Sequence, residues 1–277
     1  MSSSSNKYKK LLFIGSGNIA RAVACGLVST NTIPANCVTI YNRNANKFAP
    51  FEALRINTSL DLAAAAKDAE IIFLAVKPKT VSEVMKELSA IDGLLDRVVI
   101  VSFAASVSID HIESSAGRKF GVIRTMPSTP ILVGEGVLTI TRNERVNAKM
   151  FEYFCRMMSS IAYVSVISEE QMNPIISVQG SSPAYVYLFV KAMLDAAKSQ
   201  GVDEKSALPL ILKTIKGSVT MIESSDSNID DLIKNVTSPN GTTLAALKSF
   251  ENDDFCGTIE RAMNACTKRA NEISEEL

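Results

Sequence analysis

The stretch that decides the fold is Phe13-Ile14-Gly15-Ser16-Gly17-Asn18-Ile19-Ala20. It has the pattern Gly-x-Gly-x-x-Ala, it follows a short apolar run, and it opens a helical pattern. In this pattern the first glycine allows a tight turn, the second lets a pyrophosphate approach the backbone, and the alanine lets the helix pack close to the sheet. The free N–H groups at the start of the helix attract the same phosphates. The sequence therefore predicts a dinucleotide-binding loop that consists of Gly15, Ser16, Gly17, Asn18 and Ile19.

Short apolar runs alternate with helical patterns through the N-terminal part of the chain. Runs at residues 11–14, 38–41, 71–76, 98–103 and 121–124 are bounded by turns or charges, as buried parallel strands are. Two later strand candidates, residues 136–141 and 161–166, flank another helical pattern. The first helix has one apolar face, formed by Ile19, Ala22, Val23, Gly26 and Leu27. We predict an α/β fold in which residues 1–167 form a Rossmann-type, doubly wound sheet.

Strand signals stop near Ser168, and long helical patterns follow at residues 169–200, 203–224, 229–235, 242–251 and 255–273. They predict an all-helical C-terminal domain, residues 168–277. One of these helices is apolar on more than one face, at Tyr185, Val186, Leu188, Phe189, Val190, Met193 and Leu194. A small bundle cannot bury so much apolar surface by itself, so we expect this domain to form a large interface between subunits.

The charge balance and the rare residue types argue against several classes of protein. The chain has 29 basic and 29 acidic residues, which disfavours nucleic acid or an anionic membrane surface as its main partner. Its five cysteines lack Cys-x-x-Cys spacing and it has one histidine, so we expect no metal site and reduced thiols. That histidine, His111, is interpreted as an ordinary solvated residue, which argues against a Ser-His-Asp hydrolase. No apolar run has the length of a membrane span, and residues 1–10 are typical of neither a signal peptide nor a transit peptide, so we expect a cytoplasmic location.

The second predicted strand ends in Tyr41-Asn42-Arg43-Asn44, at the position where an Asp or Glu usually holds the ribose 2′-hydroxyl of a cofactor. The first acidic residue of the chain is Glu52. Arg43, with Asn42 and Asn44, is placed to hold a 2′-phosphate, so we expect NADPH to be preferred and NADH to be an alternative cofactor. The other interpretation is a solvated turn with an incidental arginine.

The run at residues 71–76 leads into Ala75, Val76, Lys77 and Pro78, which lie at the predicted carboxyl edge of the sheet. A bound ribose or nicotinamide would pass this edge, so we include these four residues in the cofactor site. For Lys77 a purely structural role stays open.

Three further segments carry a family resemblance: Ile123-Arg124-Thr125-Met126-Pro127-Ser128-Thr129-Pro130 followed by Gly134-Glu135-Gly136, Gln179-Gly180-Ser181-Ser182-Pro183-Ala184-Tyr185, and Val236-Thr237-Ser238-Pro239-Asn240-Gly241-Thr242-Thr243. With the loop at Gly15 and residues 75–78, they have the order and spacing of pyrroline-5-carboxylate reductase, which the chain resembles from the first strand to about Glu251. Four positions depart from the family pattern: Ser128 replaces Asn, Gln179 replaces Ser, and Ser182 and Asn240 replace Gly. Asn240 suits a turn because Asn adopts left-handed conformations more readily than most non-glycine residues.

The last of these segments is a candidate carboxylate site on its residues alone. It offers backbone N–H groups and hydroxyls at a helix N-terminus, although Thr242 or Thr243 acting only as a helix cap is the other interpretation. The resemblance implies that the substrate is 1-pyrroline-5-carboxylate, a cyclic imine that hydride transfer to the C=N carbon converts to proline in the last step of proline biosynthesis.

The resemblance also implies roles for individual residues. The substrate-binding set is Ser238, Pro239, Gly241, Thr242, Thr243 and Ser181. Within it, Ser238 and the N–H groups of residues 241–243 hold the carboxylate, and Thr243 is the catalytic residue at the ring nitrogen. The cofactor-binding set also includes Ala104, Met126 and Pro127. The family further implies a homodimer through the helical domain and a larger assembly of such dimers.

Two other functions fit a Rossmann domain followed by helices. A β-hydroxyacid-type dehydrogenase would use a lysine and an asparagine on the interdomain helix, but here Lys191 comes late, on an apolar helix. A non-catalytic NADPH-binding regulator would have no need of Ser238, Gly241, Thr242 and Thr243, which are all present. Binding of NADPH without its consumption would identify the regulator.

Overall fold

An eight-stranded sheet dominates the computed structural model, which describes residues 8–277. The strands are β1 (Leu11–Ile14), β2 (Val38–Tyr41), β3 (Asn57–Ser59), β4 (Ile71–Leu74), β5 (Val99–Ser102), β6 (Val122–Pro127), β7 (Gly136–Arg142) and β8 (Ala162–Val166). They lie in the order β3-β2-β1-β4-β5-β6-β7-β8. Only the β6–β7 pair is antiparallel among these strands. Most of the segment on which the prediction about targeting peptides rests lies outside the described residues.

The central strands form where the sequence has continuous apolar runs, because strands covered on both faces need them. β1, β4 and β5 are buried along their whole length. Phe13 and Phe73, on adjacent strands, stack with their ring centroids 4.2 Å apart. Alternate strand residues join two separate apolar clusters, so helices cover both faces of the sheet. The predicted Rossmann-type, doubly wound sheet is confirmed.

Seven helices of the described chain lie between strands: α1 (Asn18–Ser29), α2 (Ala49–Glu52), α3 (Leu62–Ala66), α4 (Val81–Ser89), α5 (Leu94–Arg97), α6 (Ile109–Ser115) and α7 (Ala148–Met158). Five more follow β8: α8 (Ser182–Ser199), α9 (Glu204–Ser224), α10 (Ile229–Asn235), α11 (Thr242–Asn252) and α12 (Phe255–Glu275). Single 3₁₀ turns occur at Ala35–Cys37, Ala45–Lys47, Pro78–Thr80, Thr129–Val133 and Glu169–Gln171, and Ile176–Gly180 is a π-helical turn. No helix of residues 8–277 is long and apolar enough to cross a membrane.

The structure differs from the sequence-based interpretation in two elements. β3 was not predicted, because Asn57–Ser59 is polar and forms a strand only through its pairing with β2. The single helix predicted over residues 169–200 is wrong. A 3₁₀ turn and a π-helical turn precede α8, which begins beside Pro183, a residue suited to the first turn of a helix.

The direction of β7 follows from the length of the connection before it. A parallel crossover needs about a dozen residues or more, whereas only residues 128–135 separate β6 from β7. The connection therefore turns back: the Ser128 N–H donates to the Val137 carbonyl, the Val137 N–H donates to the Ser128 hydroxyl, and Gly134 has a φ of 79°.

The chain forms two compact units. The first contains the described residues up to Ser181 together with Cys266–Leu277, and the second contains Ser182–Ala265. The boundary at 167/168 stays a prediction about domains; residues 168–181 lie in the first unit, where the Gln179 amide hydrogen-bonds to the Met126 carbonyl of β6. Within residues 182–265 only Ala207 and Ile211 are buried, so the second unit leaves most of its apolar side chains exposed.

Candidate active site

Five segments of the predicted cofactor site lie at one edge of the sheet. The segments at Gly15, Asn42, Ala75 and Ala104 follow β1, β2, β4 and β5, and Met126 lies near the end of β6. These five strands run parallel, so their carboxyl ends meet at this edge. In open α/β sheets this is the edge that binds ligands.

Gly15 is required by the close crossing of two strand ends. Its φ is 107°, a conformation that side chains rarely adopt, and a Cβ there would lie 2.9 Å from the carbonyl carbon of Ala75 and closer still to its oxygen. Its N–H donates to the carbonyl of Tyr41 at 2.8 Å, and Ala75 N–H donates to that of Ile14 at 2.9 Å. The glycine thus fixes the path of the chain from β1 into α1.

Gly17 has a different role, because nothing lies within 4 Å of the position that its Cβ would take. It precedes α1, whose first turn has no capping side chain and no acidic residue. The first N–H groups of this helix therefore have no capping side chain as a partner, which suits an anion. The segment of residues 15–19 is named the Gly15 loop below.

Ser16 and Asn42 connect the ends of β1 and β2. The Asn42 amide donates to Ser16 Oγ at 2.6 Å, which leaves the hydroxyl proton of Ser16 for another acceptor. Asn44 is used locally, since its Oδ1 accepts from the N–H of Asn46 at 2.9 Å. Asn42 is thus the better placed of the two asparagines to contact a ligand.

Arg43 has two acidic neighbours that the sequence analysis did not anticipate. Its Nη2 lies 2.9 Å from Glu83 Oε1 and 2.6 Å from Glu87 Oε1. The hydrogen bond that Arg43 donates to Glu83 and the charges of both carboxylates raise the pKa of Arg43 further. The signal was visible, because Glu83 and Glu87 are spaced i, i+4 on α4 and so share one helix face.

The remaining cofactor candidates on this edge have mixed surroundings. Lys77 is exposed and precedes the turn Pro78–Thr80, in which the N–H of Thr80 donates to the Lys77 carbonyl at 2.9 Å. Val76 is half-buried, and Ala104 is buried with its N–H bonded to Ser102 Oγ at 3.2 Å. The side chains of Val76 and Ala104 offer an apolar wall rather than polar groups that could recognise a ligand.

Met126 and Pro127 end β6 beside the π-helical turn. The Gln179 amide donates to the Met126 carbonyl at 2.8 Å, and its Oε1 is buried without a hydrogen-bond partner among the described residues. A Cβ at Gly180 would lie 2.5 Å from Met126 Cε. Gln179, which the sequence analysis treated only as a departure, thus holds the backbone of a predicted cofactor residue.

Ser181 closes the π-helical turn through its N–H, which donates to the Ile176 carbonyl at 2.8 Å. Its hydroxyl accepts from Cys266 Sγ at 3.4 Å. His111 is half-buried and its Nε2 lies 2.8 Å from Ser82 Oγ, so the prediction of an ordinary solvated residue is wrong. The partner is a serine of the packed helix α4, so the histidine links two helices.

The candidate substrate residues 238–243, named the Ser238 loop, lie in the second unit. Gly241 N–H donates to the Ser238 carbonyl at 3.0 Å, with Pro239 and Asn240 at the turn and a φ of 58° at Asn240. Pro at the second position and a positive φ at the third are typical of a type II turn. Asn240 therefore takes the conformation for which the family pattern has glycine.

The turn delivers Ser238 to the N-terminus of α11. A Cβ at Gly241 would overlap Ser238 Oγ, so the hydroxyl lies directly against the residue that precedes the helix. No side chain caps α11 and its first turn has no acidic residue. The interpretation of Thr242 or Thr243 as a helix cap is therefore wrong, and the N–H groups of this turn stay available to an anion together with three exposed hydroxyls.

Two protein-family models match the chain: pyrroline-5-carboxylate reductase dimerisation over residues 169–273, and NADP oxidoreductase, coenzyme F420-dependent, over residues 10–106. The chain is 34% identical over 269 residues to the pyrroline-5-carboxylate reductase of Haemophilus influenzae, with 96% of this chain and 98% of that protein covered. It is 33% identical over 264 residues to that of Corynebacterium melassecola, with 95% and 97% covered. The solved structure of Plasmodium falciparum pyrroline carboxylate reductase with NADP bound matches with a TM-score of 0.88 and 29% identity, over 97% of this chain and 99% of that one.

Proposed function

The chain belongs to the pyrroline-5-carboxylate reductase family, and we propose how its own residues carry out the NAD(P)H-dependent reduction of 1-pyrroline-5-carboxylate to proline. It is an NAD(P)-dependent oxidoreductase of proline biosynthesis. The observation that carries the proposal is the Ser238 loop, in which one turn brings a hydroxyl to an uncapped helix N-terminus.

We propose that the Gly15 loop holds the pyrophosphate of the cofactor and that Asn42, Arg43 and Asn44 hold the adenosine ribose with its 2′-phosphate. Residues 75–78, Ala104, Met126 and Pro127 complete the wall along the carboxyl edge. NADPH is the preferred cofactor in this proposal and NADH the alternative. When bound, the reduced nicotinamide supplies the hydride.

The Ser238 loop binds and orients the substrate. The hydroxyl of Ser238 and the N–H groups of residues 241–243 bind its carboxylate in this proposal, and Pro239 shapes the turn that presents them. The Thr243 hydroxyl accepts a hydrogen bond from the protonated ring nitrogen. Protonation makes the C=N carbon electrophilic, so addition of a hydride there converts the iminium to a secondary amine that keeps its proton. The main contribution of the chain is thus orientation.

We also propose that the protein is a homodimer through its helical part, with a larger assembly of dimers as a further step. The support is the match of residues 169–273 to a dimerisation family and the exposed apolar side chains of α8, such as Tyr187 and Leu188, which are 65% and 67% exposed. The five unpaired cysteines support a cytoplasmic location.

The test is to mix the purified protein with 1-pyrroline-5-carboxylate and NADPH, with NADH in parallel, and to follow the absorbance of the reduced nicotinamide. We expect consumption that requires the imine and that falls about a hundredfold in Thr243→Ala while Thr243→Ser retains most of it. Thr220→Ala is the matched control, because the Thr220 hydroxyl donates only to the Lys216 carbonyl of its own helix at 3.0 Å. Flat traces with both cofactors would contradict the reductase proposal.

A further inference from the structure

Arg43 is shared between two carboxylates of α4, at 2.9 Å from Glu83 and 2.6 Å from Glu87. One guanidinium and two carboxylates give this cluster a net charge of −1. A 2′-phosphate carries about −1.5 to −2 near neutral pH. Arg43, which is assigned to this phosphate, is therefore already paired, and the two carboxylates beside it repel the phosphate that it is expected to bind.

The two carboxylates are not equivalent, because only one of them reaches the cleft. A cleft of about 120 Å³ opens at the ends of β1 and β2, and both Arg43 and Glu87 line it, together with Gly15 and Asn42. Glu83 pairs with Arg43 but does not line the cleft. Its side chain is 56% exposed against 38% for Glu87.

Glu87 brings to the cleft a carboxylate that this chain lacks at the end of β2. Rossmann domains that use NADH commonly hold the ribose 2′-hydroxyl with an Asp or Glu near the end of the second strand. Here that strand is followed by Asn42 and Arg43, and the carboxylate comes from α4 instead. Arg43 and Glu87 thus place a cation and an anion side by side at one ribose position.

We propose that Glu87 is a specificity-determining residue, which accepts a hydrogen bond from the 2′-hydroxyl of NADH and competes with the 2′-phosphate of NADPH for Arg43. Glu83 is a positioning residue that holds the guanidinium toward α4. The pair lets one cleft serve both cofactors: Arg43 turns to the phosphate when NADPH binds and stays on Glu87 when the ribose has a free hydroxyl. This inference rests on the cofactor site of the proposed function.

The test is equilibrium binding of NADP⁺ and NAD⁺ to the purified full-length protein by calorimetry, with 2′,5′-ADP as a probe of the 2′-phosphate alone. In Glu87→Gln we expect NADP⁺ and 2′,5′-ADP to bind about 5- to 20-fold more tightly, because a repulsive charge is removed, and NAD⁺ to bind about 3- to 10-fold more weakly. Glu83→Gln is the matched control: it removes the same charge from Arg43 outside the cleft, so NADP⁺ binding tightens less and NAD⁺ binding stays unchanged. Arg43→Gln weakens NADP⁺ and 2′,5′-ADP but not NAD⁺.

Equal shifts for the two nucleotides in Glu87→Gln, or no shift beyond about twofold, would overturn the inference, and thermal melting shows whether each variant is folded. The proposed function fails separately. If the unmodified protein binds both nucleotides but does not reduce the imine, the catalytic assignment is lost, while the opposite shifts expected for NADP⁺ and NAD⁺ in Glu87→Gln still test the role of Glu87. If it binds neither nucleotide, the inference and the cofactor site are both overturned.

Discussion

Replacing Gly241 with alanine is expected to weaken substrate binding while leaving the fold in place. The backbone at Gly241, with a φ of −79° and a ψ of 167°, is open to any residue. The new Cβ, however, would lie well under 3.0 Å from Ser238 Oγ, and 3.1 Å from the Ser238 carbonyl oxygen. The hydroxyl must therefore move by more than half an ångström, away from the helix N-terminus where the carboxylate is proposed to bind.

The magnitude follows from the bond that is lost. A hydrogen bond to a charged group contributes about 1.5–3 kcal/mol, which at about 1.4 kcal/mol per tenfold is roughly a 10- to 150-fold rise in KM for 1-pyrroline-5-carboxylate. The change of the residue that precedes α11 costs about 1 kcal/mol or less in the free energy of unfolding. Steady-state kinetics at saturating NADPH and thermal unfolding measure the two effects separately.

A double-mutant cycle with Ser238→Ala isolates the route of the effect. Ser238→Ala removes the same hydroxyl without filling space, so it is expected to raise KM by a similar factor. If Gly241→Ala acts by displacing that hydroxyl, the double variant is no worse than either single one, because the bond can be lost only once. Multiplicative effects in the double variant, or an unchanged KM in both single variants, would refute the reasoning.

Three further predictions concern the Gly15 loop, a buried ion pair and a helix cap. Gly17→Ala is expected to weaken NADPH binding about tenfold or more and to lower the free energy of unfolding by about 1 kcal/mol or less. Gly15→Ala is expected to lower the free energy of unfolding by about 2 kcal/mol or more, because only at Gly15 does the new Cβ clash and the backbone require a positive φ. Calorimetry measures the binding and urea unfolding measures the stability. Arg124 Nη1 lies 2.9 Å from Oε1 of the half-buried Glu169, so Arg124→Met leaves this carboxylate without its cation and is expected to cost about 3 kcal/mol in urea unfolding at fixed protein concentration; equal stability would contradict it. Hydrogen bonds from the first turn of α9 lower the pKa of Asp203, so its stabilisation is complete above its unfolded pKa of about 4 and is lost as the pH falls through the folded pKa. The Tm of Asp203→Ala, compared with that of the unchanged chain, should therefore be lower at neutral pH and converge with it in acid.

Hydropathy alone predicted the central strands because a parallel strand with both faces covered must be apolar throughout. The runs at residues 11–14 and 38–41 coincide with β1 and β2. β3 was not predicted because an edge strand needs only hydrogen bonds to one neighbour, and Asn57–Ser59 forms them with β2. Its conformation is thus a property of the sheet, which no local pattern of three polar residues records.

The helical prediction over residues 169–200 failed for a different reason. The breaks were present in the sequence as Pro174, Gly180 and Pro183, which are turn and helix-start residues. Apolar spacing outweighed them in the prediction, although the Gln179 amide, which donates to the Met126 carbonyl, joins this segment to the end of β6. Local turn chemistry was the better guide here.

The candidate site also has parts that the sequence predicts and parts that it does not. The Gly15 loop and the Ser238 loop were predictable because each depends on a turn whose backbone requirement follows from a few consecutive residues. The acidic partners of Arg43 were not sought, because they come from α4, about forty residues further along the chain. Their spacing showed that they share a helix face but not which strand end that face meets.

The departures from the family pattern show what the pattern encodes. Asn240 has a φ of 58°, so the position where the family pattern has glycine is held here by asparagine, which adopts left-handed conformations more readily than most non-glycine residues. Ser128 accepts the Val137 N–H at 2.9 Å, and Gln179 donates to the Met126 carbonyl at 2.8 Å, so each replacement still satisfies a backbone group. At these positions the fold requires a φ angle or a hydrogen-bond partner rather than one residue type. A segment can therefore keep a turn or a backbone hydrogen bond while its motif letters change, so a comparison of motif letters alone does not measure how far these segments differ in structure.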